Sequence, residues 1–146
     1  MKKLIFILLS FSLFISCNKD LEKKIVASFP DGKPEQIDYY KPGSESKEVI
    51  KQEVYYPSGS LKYSLSIKDG KKNGLCTYFF ENGKKWSEQY FVNDTSDGDH
   101  RLYYENGEMR EFGKFEKGKC VGTWYFYDEK GNIIREAKYV NGEVIQ

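Results

Sequence analysis

Residues 74–146 read GLCTYFFENGKKWSEQYFVNDTSD (74–97), GDHRLYYENGEMREFGKFEKGKCV (98–121) and GTWYFYDEKGNIIREAKYVNGEVIQ (122–146), one pattern written three times. Gly83, Gly107 and Gly131 fall 24 residues apart, as do Gly74, Gly98 and Gly122. A fixed period of this length is the signature of a repeat architecture, in which each unit is one small supersecondary element stacked on the next.

The content of each unit points to a β-hairpin. Asn82-Gly83 and Asn106-Gly107 separate short runs rich in Tyr, Phe and Trp, and Asn-Gly is the strongest short-range signal for a two-residue type I′ turn. Such a loop fixes the register: Glu81 faces Lys84, Phe80 faces Lys85 and Phe79 faces Trp86. The same register sets Gly74 opposite Phe91, Gly98 opposite Phe115 and Gly122 opposite Tyr139. A strand glycine leaves bare backbone for the facing ring to lie on. In the preceding, less regular unit around Pro57-Ser58-Gly59 the corresponding pair is Ile50 and Ile67.

Alternation along the strands tests this register, because successive side chains point to opposite faces. Around Gly59, one face collects Ile50, Val54, Tyr56, Leu61, Tyr63, Leu65 and Ile67, with Gln52 as the exception. The other face collects Lys51, Glu53, Tyr55, Lys62, Ser64 and Ser66. That is the pattern of an antiparallel sheet with one wet side. In the later units the polar face fills with rings.

The expected fold is therefore all-β: an antiparallel meander of hairpins with a 24-residue period, forming a single extended, twisted sheet. The domain spans 25–146, with an atypical capping hairpin at 25–46 and four repeats at 47–146. The cap pairs Ile25 to Phe29 with Gln36 to Tyr40 across Pro30-Asp31-Gly32, and ten strands are expected in all. The repeat turns carry Gly59, Gly83, Gly107 and Gly131. Rings make up 16% of the chain, which suits strands whose aromatics cover one another better than a deep aliphatic core.

Residues 1–16 read as an export signal. Lys2 and Lys3 precede an apolar run, Leu4 to Ile15, too short to span a bilayer core. Phe14-Ile15-Ser16-Cys17 resembles a bacterial lipobox, which implies cleavage before Cys17 and acylation of its thiol, followed by a polar tether to residue 24. Cleavage leaves 21 Lys+Arg against 22 Asp+Glu, from the 23 and 22 of the full chain. This near-neutral balance, together with export, speaks against nucleic acid as a partner.

Candidate chemistry is sparse. His100 is the single histidine, at the position that Trp124 holds one repeat later, so it is read as a filler of a ring-shaped slot. Cys76 and Cys120 lie four strand spacings of about 4.8 Å apart, too far for a disulfide, which needs Cα atoms within about 7 Å. They are read as free thiols. Asn93-Asp94-Thr95-Ser96-Asp97-Gly98-Asp99 looks superficially like a calcium loop, but its twelfth position is Tyr104 rather than the bidentate Glu; it is read as a turn between repeats. No nucleophile elbow, phosphate loop or triad is present, and no catalytic residue, metal or cofactor is expected.

The residues Gly122-Thr123-Trp124-Tyr125-Phe126-Tyr127-Asp128-Glu129-Lys130-Gly131 resemble the MORN-repeat family, in the divergent form found in bacterial proteins labelled YwqK-type antitoxins. The shared pattern is G-x-W-x-x-Y-x-x-x-G. Cys76 and His100 stand where the two earlier copies would have the tryptophan. The resemblance covers roughly 47–146 and implies the hairpin fold; it also implies, as one alternative, an antitoxin or immunity protein that occludes a toxin. The leading expectation from the residues is a non-catalytic protein-binding or scaffold module, lipid-anchored to a bacterial membrane, the outer membrane in particular, on its periplasmic or surface side. Its candidate partner-binding residues are Trp86, Tyr90, Arg101, Tyr103, Arg110, Tyr125 and Tyr127, expected together on the aromatic face, since Trp, Tyr and Arg dominate interface hot spots. The same rings would equally serve to shield one another if the sheet curled, and the sequence leaves both roles open.

Overall fold

In the computed structural model, which describes residues 21–43 and 48–146, the chain forms one antiparallel sheet of eleven strands in sequence order. The strands are β1 (Glu22–Ser28), β2 (Pro34–Tyr40), β3 (Val49–Tyr55), β4 (Leu61–Lys68), β5 (Lys71–Phe79), β6 (Lys85–Val92), β7 (Thr95–Tyr103), β8 (Met109–Glu116), β9 (Lys119–Tyr127), β10 (Ile133–Val140) and β11 (Glu143–Val144). The all-β meander is as expected. The signal and the lipobox lie outside the described residues. β1 starts at Glu22, paired with Tyr40, so the sheet takes in three residues assigned to the tether.

Two turn types alternate along the two ends of the strands, and their assignment corrects the sequence reading. At Asn82-Gly83 the loop has three residues, not two. The Gly83 N–H donates to the Phe80 carbonyl at 2.9 Å, and the Phe80 N–H donates to Lys84 O at 2.8 Å. Gly83 alone takes positive φ, at +83°, the arrangement of a type I turn with a glycine bulge. Asn82 contributes through its amide: its Oδ1 accepts the Lys84 N–H at 2.9 Å and its Nδ2 reaches Glu105 O at 3.5 Å. The same closure recurs from Phe29 to Lys33, Tyr56 to Ser60, Tyr104 to Glu108 and Asp128 to Asn132. True two-residue turns, positive φ at both positions, sit at the opposite end: Asp69-Gly70, Asn93-Asp94, Lys117-Gly118 and Asn141-Gly142. The last of these starts β11, which is why the strands number eleven and not ten.

The longer loop displaces the register by one residue, and a bulge restores it. Phe79 pairs with Lys85 rather than Trp86, yet Tyr78 pairs with Ser87 and Gly74 with Phe91, as expected. Trp86 is the extra residue. Lys62, Arg110 and Ile134 hold the same place in their hairpins, so Gly98 still meets Phe115 and Gly122 still meets Tyr139.

On their other side β5, β7 and β9 each carry two extra residues relative to the neighbouring strand. Gln89 pairs with His100, for example, but Phe91 with Ser96. Gly98 lies in this gap with φ +127°, and a Cβ there would come within 2.8 Å of the Tyr90 Cβ. Its glycine thus answers to a close strand approach as well as to the ring of Phe115.

Backbone bonds one repeat apart tie the turns together: Asp94 N–H to Lys72 O, Gly118 N–H to Ser96 O and Gly142 N–H to Cys120 O, at 2.8–3.0 Å. At the three-residue loops the Tyr56 hydroxyl donates to Phe79 O at 3.0 Å and the Tyr104 hydroxyl to Tyr127 O at 2.7 Å. These bonds tie successive repeats together at both ends of the strands.

The turn geometry makes Gly107 hard to replace. Gly107 has φ +97° with open space around its missing Cβ apart from Lys84, so Gly107→Val should lose about 1–3 kcal/mol through backbone strain alone. Glu108→Val, exposed and next in sequence, should stay within about 0.5 kcal/mol of wild type. Chemical denaturation of the two variants side by side checks this; equal midpoints would refute the turn geometry.

Candidate functional site

The sheet is one layer thick, so its core is a row of side chains crossing the strands. Partner positions link Gln52 to Leu65, Leu65 to Cys76, Cys76 to Gln89, Gln89 to His100 and His100 to Gly113, and Trp124 to Ala137. Cys76 is fully buried, and Leu65, Gln89, Trp124 and Ala137 nearly so. At the end of the row Trp124 sits between two small residues, Gly113 and Ala137, and lies over Gly113, whose added Cβ would fall 2.1 Å from the indole. Phe115 and Tyr139 meet the indole edge-on at 5.0 and 5.7 Å.

His100 fills the ring slot. It stacks on Trp124 at 5.5 Å and meets Phe115 edge-on. Its Nδ1 lies 2.7 Å from Gln89 Oε1, a carbonyl that can only accept, so Nδ1 carries the proton of the neutral ring. Nε2 sits 3.6 Å from the Glu111 carboxylate. Burial lowers the imidazole pKa below its ordinary value, and the nearby Glu111 offsets this only in part. The folded protein then binds its proton later than the unfolded chain as pH falls. His100 should favour folding at pH above about 6.5, and this contribution should fade as pH drops through the folded value. His100→Phe should flatten the melting temperature between pH 7 and 5; an unchanged slope would remove His100 as the cause. Cys76 and Cys120 are both free thiols, their pKa values raised by burial.

On the opposite face the strand partners run Glu53, Ser64, Thr77, Glu88, Arg101, Phe112, Tyr125 and Glu136. Of the expected binding residues, Arg101 and Tyr125 sit in this row, and Tyr103 and Tyr127 two residues closer to the three-residue loops. Tyr90 shares the face but lies on the other side of the row, beside Gly98. Glu88 holds the group together: Lys85 Nζ reaches its carboxylate at 2.6 Å, and the Tyr103 hydroxyl donates to it at 2.8 Å. Burial raises the Glu88 pKa, but Lys85 and Tyr103 outweigh it and leave the carboxyl below its usual value. Burial and the Glu88 bond together push the Tyr103 phenol up to about 12. Arg101 pairs with Asp99 at 2.7 Å and covers the Phe112 ring at 5.3 Å. Glu53 forms a parallel cluster with Lys51 and the hydroxyls of Tyr39 and Tyr55.

Trp86 and Arg110 do not join this face. Both are bulge residues, and the bulge turns them to the side of the buried row. Trp86 contacts Tyr78 at 6.1 Å and Phe80 at 6.3 Å, and Arg110 lies over Tyr104 at 5.7 Å. Lys62 likewise covers Tyr56 at 5.5 Å. With Ile134 these residues form a ridge beside the loops, with Trp86 45% and Ile134 65% exposed. The expected single site is thus two surfaces: a ridge of Lys62, Trp86, Arg110 and Ile134, and a strip around Glu88, Arg101, Tyr103, Tyr125 and Tyr127. Lys62 and Ile134 were separable in the sequence by their 24-residue spacing three positions after each turn glycine. The two carboxylate clusters had no such signal.

The Asn93–Asp99 stretch makes a two-residue turn and the start of β7, and Asp94 Oδ1 accepts the Lys72 N–H at 2.8 Å. No curated protein sequence matches the chain. The hairpin β7–β8, at 95–116, shares the geometry of its neighbours on both sides. Those neighbours carry the family signal: the MORN repeat variant matches this chain at residues 48–69, 72–93 and 121–141.

Proposed function

We propose that this protein is a non-catalytic binding module of the bacterial cell envelope, exported, acylated at Cys17 and held on a membrane, which captures a protein partner along its bulge ridge. MORN repeats are in general protein- or membrane-binding modules, which supports the coarse reading. The lipobox-like Phe14-Ile15-Ser16-Cys17 supports the anchor, and the observation that carries partner capture is the ridge itself. Four hairpins repeat one backbone, and at one bulge position that backbone displays lysine, tryptophan, arginine and isoleucine in turn. A constant framework with changing exposed residues is how repeat proteins build a specific contact surface, and Trp and Arg are its usual anchors. Neutralisation of a toxin by occlusion, the alternative implied by the family resemblance, is one form of the same capture.

Crosslinking and affinity capture from envelope membranes test the proposal with the anchored, full-length chain. Trp86→Ala and Arg110→Ala should each abolish recovery of a partner that wild type retains. The melting temperature should fall little, because an exposed aromatic contact is worth about 0.5–1.5 kcal/mol. Cys17→Ala should leave an unprocessed precursor without acyl label. Partner recovery undiminished in both ridge variants would reject the ridge, and mature wild type that never enters the detergent phase would reject the anchor.

A further inference from the structure

The strip on the opposite face has the reverse character. Where the ridge varies from repeat to repeat, one position of the strip stays aromatic in every repeat. β3, β5, β7 and β9 all end on a ring: Tyr55, Phe79, Tyr103 and Tyr127. All four are half-buried, and by alternation each shares a face with Glu53, Thr77, Arg101 and Tyr125 of its own strand. Successive rings stand two strand spacings apart, ~9.6 Å. A ladder of identical steps suits a ligand that is itself periodic.

Three carboxylates beside the ladder are neutralised by a neighbouring cation. Glu53 is paired with Lys51, Glu88 with Lys85, and Asp99 with Arg101. A polyanion would find no excess of positive charge on these clusters, and a polycation only the single carboxylate of Glu136 beyond them, opposite Tyr125. An uncharged, hydroxyl-rich chain would find rings to lie on, with carboxylates, a guanidinium and phenol hydroxyls beside them as hydrogen-bond partners.

From this spacing and charge balance we propose that the strip binds an extended, uncharged β-1,4-linked glycan. In such a chain the ring substituents are equatorial, so each sugar presents a flat C–H face that packs on an aromatic ring. The linkage also turns alternate sugars over, so equivalent faces recur once per disaccharide, a repeat of about two strand spacings. The twist of a sheet rotates successive rings, and a chain free to turn about each glycosidic bond follows them. An α-1,4-linked chain coils and cannot meet rings set out in a line. Glucose and N-acetylglucosamine backbones share this chemistry, differing in the acetamide.

Calorimetric titration of the full-length protein with cellohexaose, chitohexaose, maltohexaose and the matching disaccharides tests the assignment. At least one β-1,4 hexasaccharide should bind about tenfold or more tightly than its disaccharide, with maltohexaose silent. Preference between the two β-1,4 chains reports whether the acetamide is read. Tyr103→Ala and Tyr127→Ala should each weaken binding about tenfold, with Tyr103→Phe close to wild type because the ring remains. Trp86→Ala, on the other face, should bind the sugar normally, which separates this site from the protein-binding ridge. The proposal is overturned by silence with both β-1,4 hexasaccharides, by equal binding of maltohexaose, by no gain from disaccharide to hexasaccharide, or by folded Tyr103→Ala and Tyr127→Ala binding as wild type does.

Discussion

Trp124→Ala should unfold this protein or bring it to the edge of unfolding, with a loss of about 3–5 kcal/mol. The indole is 4% exposed and joins four residues of the buried face: His100 stacks on it, Phe115 and Tyr139 meet it edge-on, and Gly113 forms its floor. A single-layer sheet has no second layer that could move in to fill the space. The residual cavity should therefore stay open or flood, which places the variant at the costly end of large-to-small changes. Trp124→Phe should cost far less, because the ring is kept and the indole N–H, buried without a hydrogen-bond partner, is lost along with its desolvation cost. Urea denaturation of the three proteins measures this. A Trp124→Ala loss below about 1 kcal/mol, as for an exposed contact, would show that the row is not the core.

Gly113→Ala, a change of one methyl group, should cost about 2–3 kcal/mol. Gly113 lies inside β8 without positive φ, so its backbone accepts alanine, and on conformational entropy alone the substitution would stabilise by about 0.4–1 kcal/mol. The obstacle is the indole: the new Cβ would lie 2.1, 2.3 and 2.6 Å from three of its atoms, and the ring has other aromatics against it. A double-mutant cycle isolates the cause. Gly113→Ala combined with Trp124→Ala should lose about 0.5–3 kcal/mol less than the two single losses added together, because the methyl then occupies space the indole has left. Strict additivity would mean that Gly113 is required for some reason other than the ring.

Much of this protein was legible in its sequence, for a physical reason. The 24-residue glycine spacing and the period-two alternation belong to local geometry, and a repeated local unit has few ways to stack. That was enough for the meander, for the pairing of Gly74, Gly98 and Gly122 with Phe91, Phe115 and Tyr139, for two cysteines too far apart to bond, and for His100 in the slot of Trp124. What only the tertiary structure decided was the ends of the strands. Asn82-Gly83 satisfies either a two-residue turn with both residues at positive φ or a three-residue loop with only the glycine there. The local sequence does not separate them. The three-residue loop is accompanied by bonds to the next hairpin, with the Asn82 amide reaching Glu105 and the Tyr56 hydroxyl reaching Phe79, contacts that exist only once the repeats are stacked. That choice adds one residue to each loop, and the bulge that cancels it turns Trp86 and Arg110 to the opposite face from Tyr103 and Tyr125. Because side chains alternate with period two, a one-residue slip decides which face a residue serves, so the division of one expected site into two surfaces followed from long-range contacts rather than from the strands' own composition.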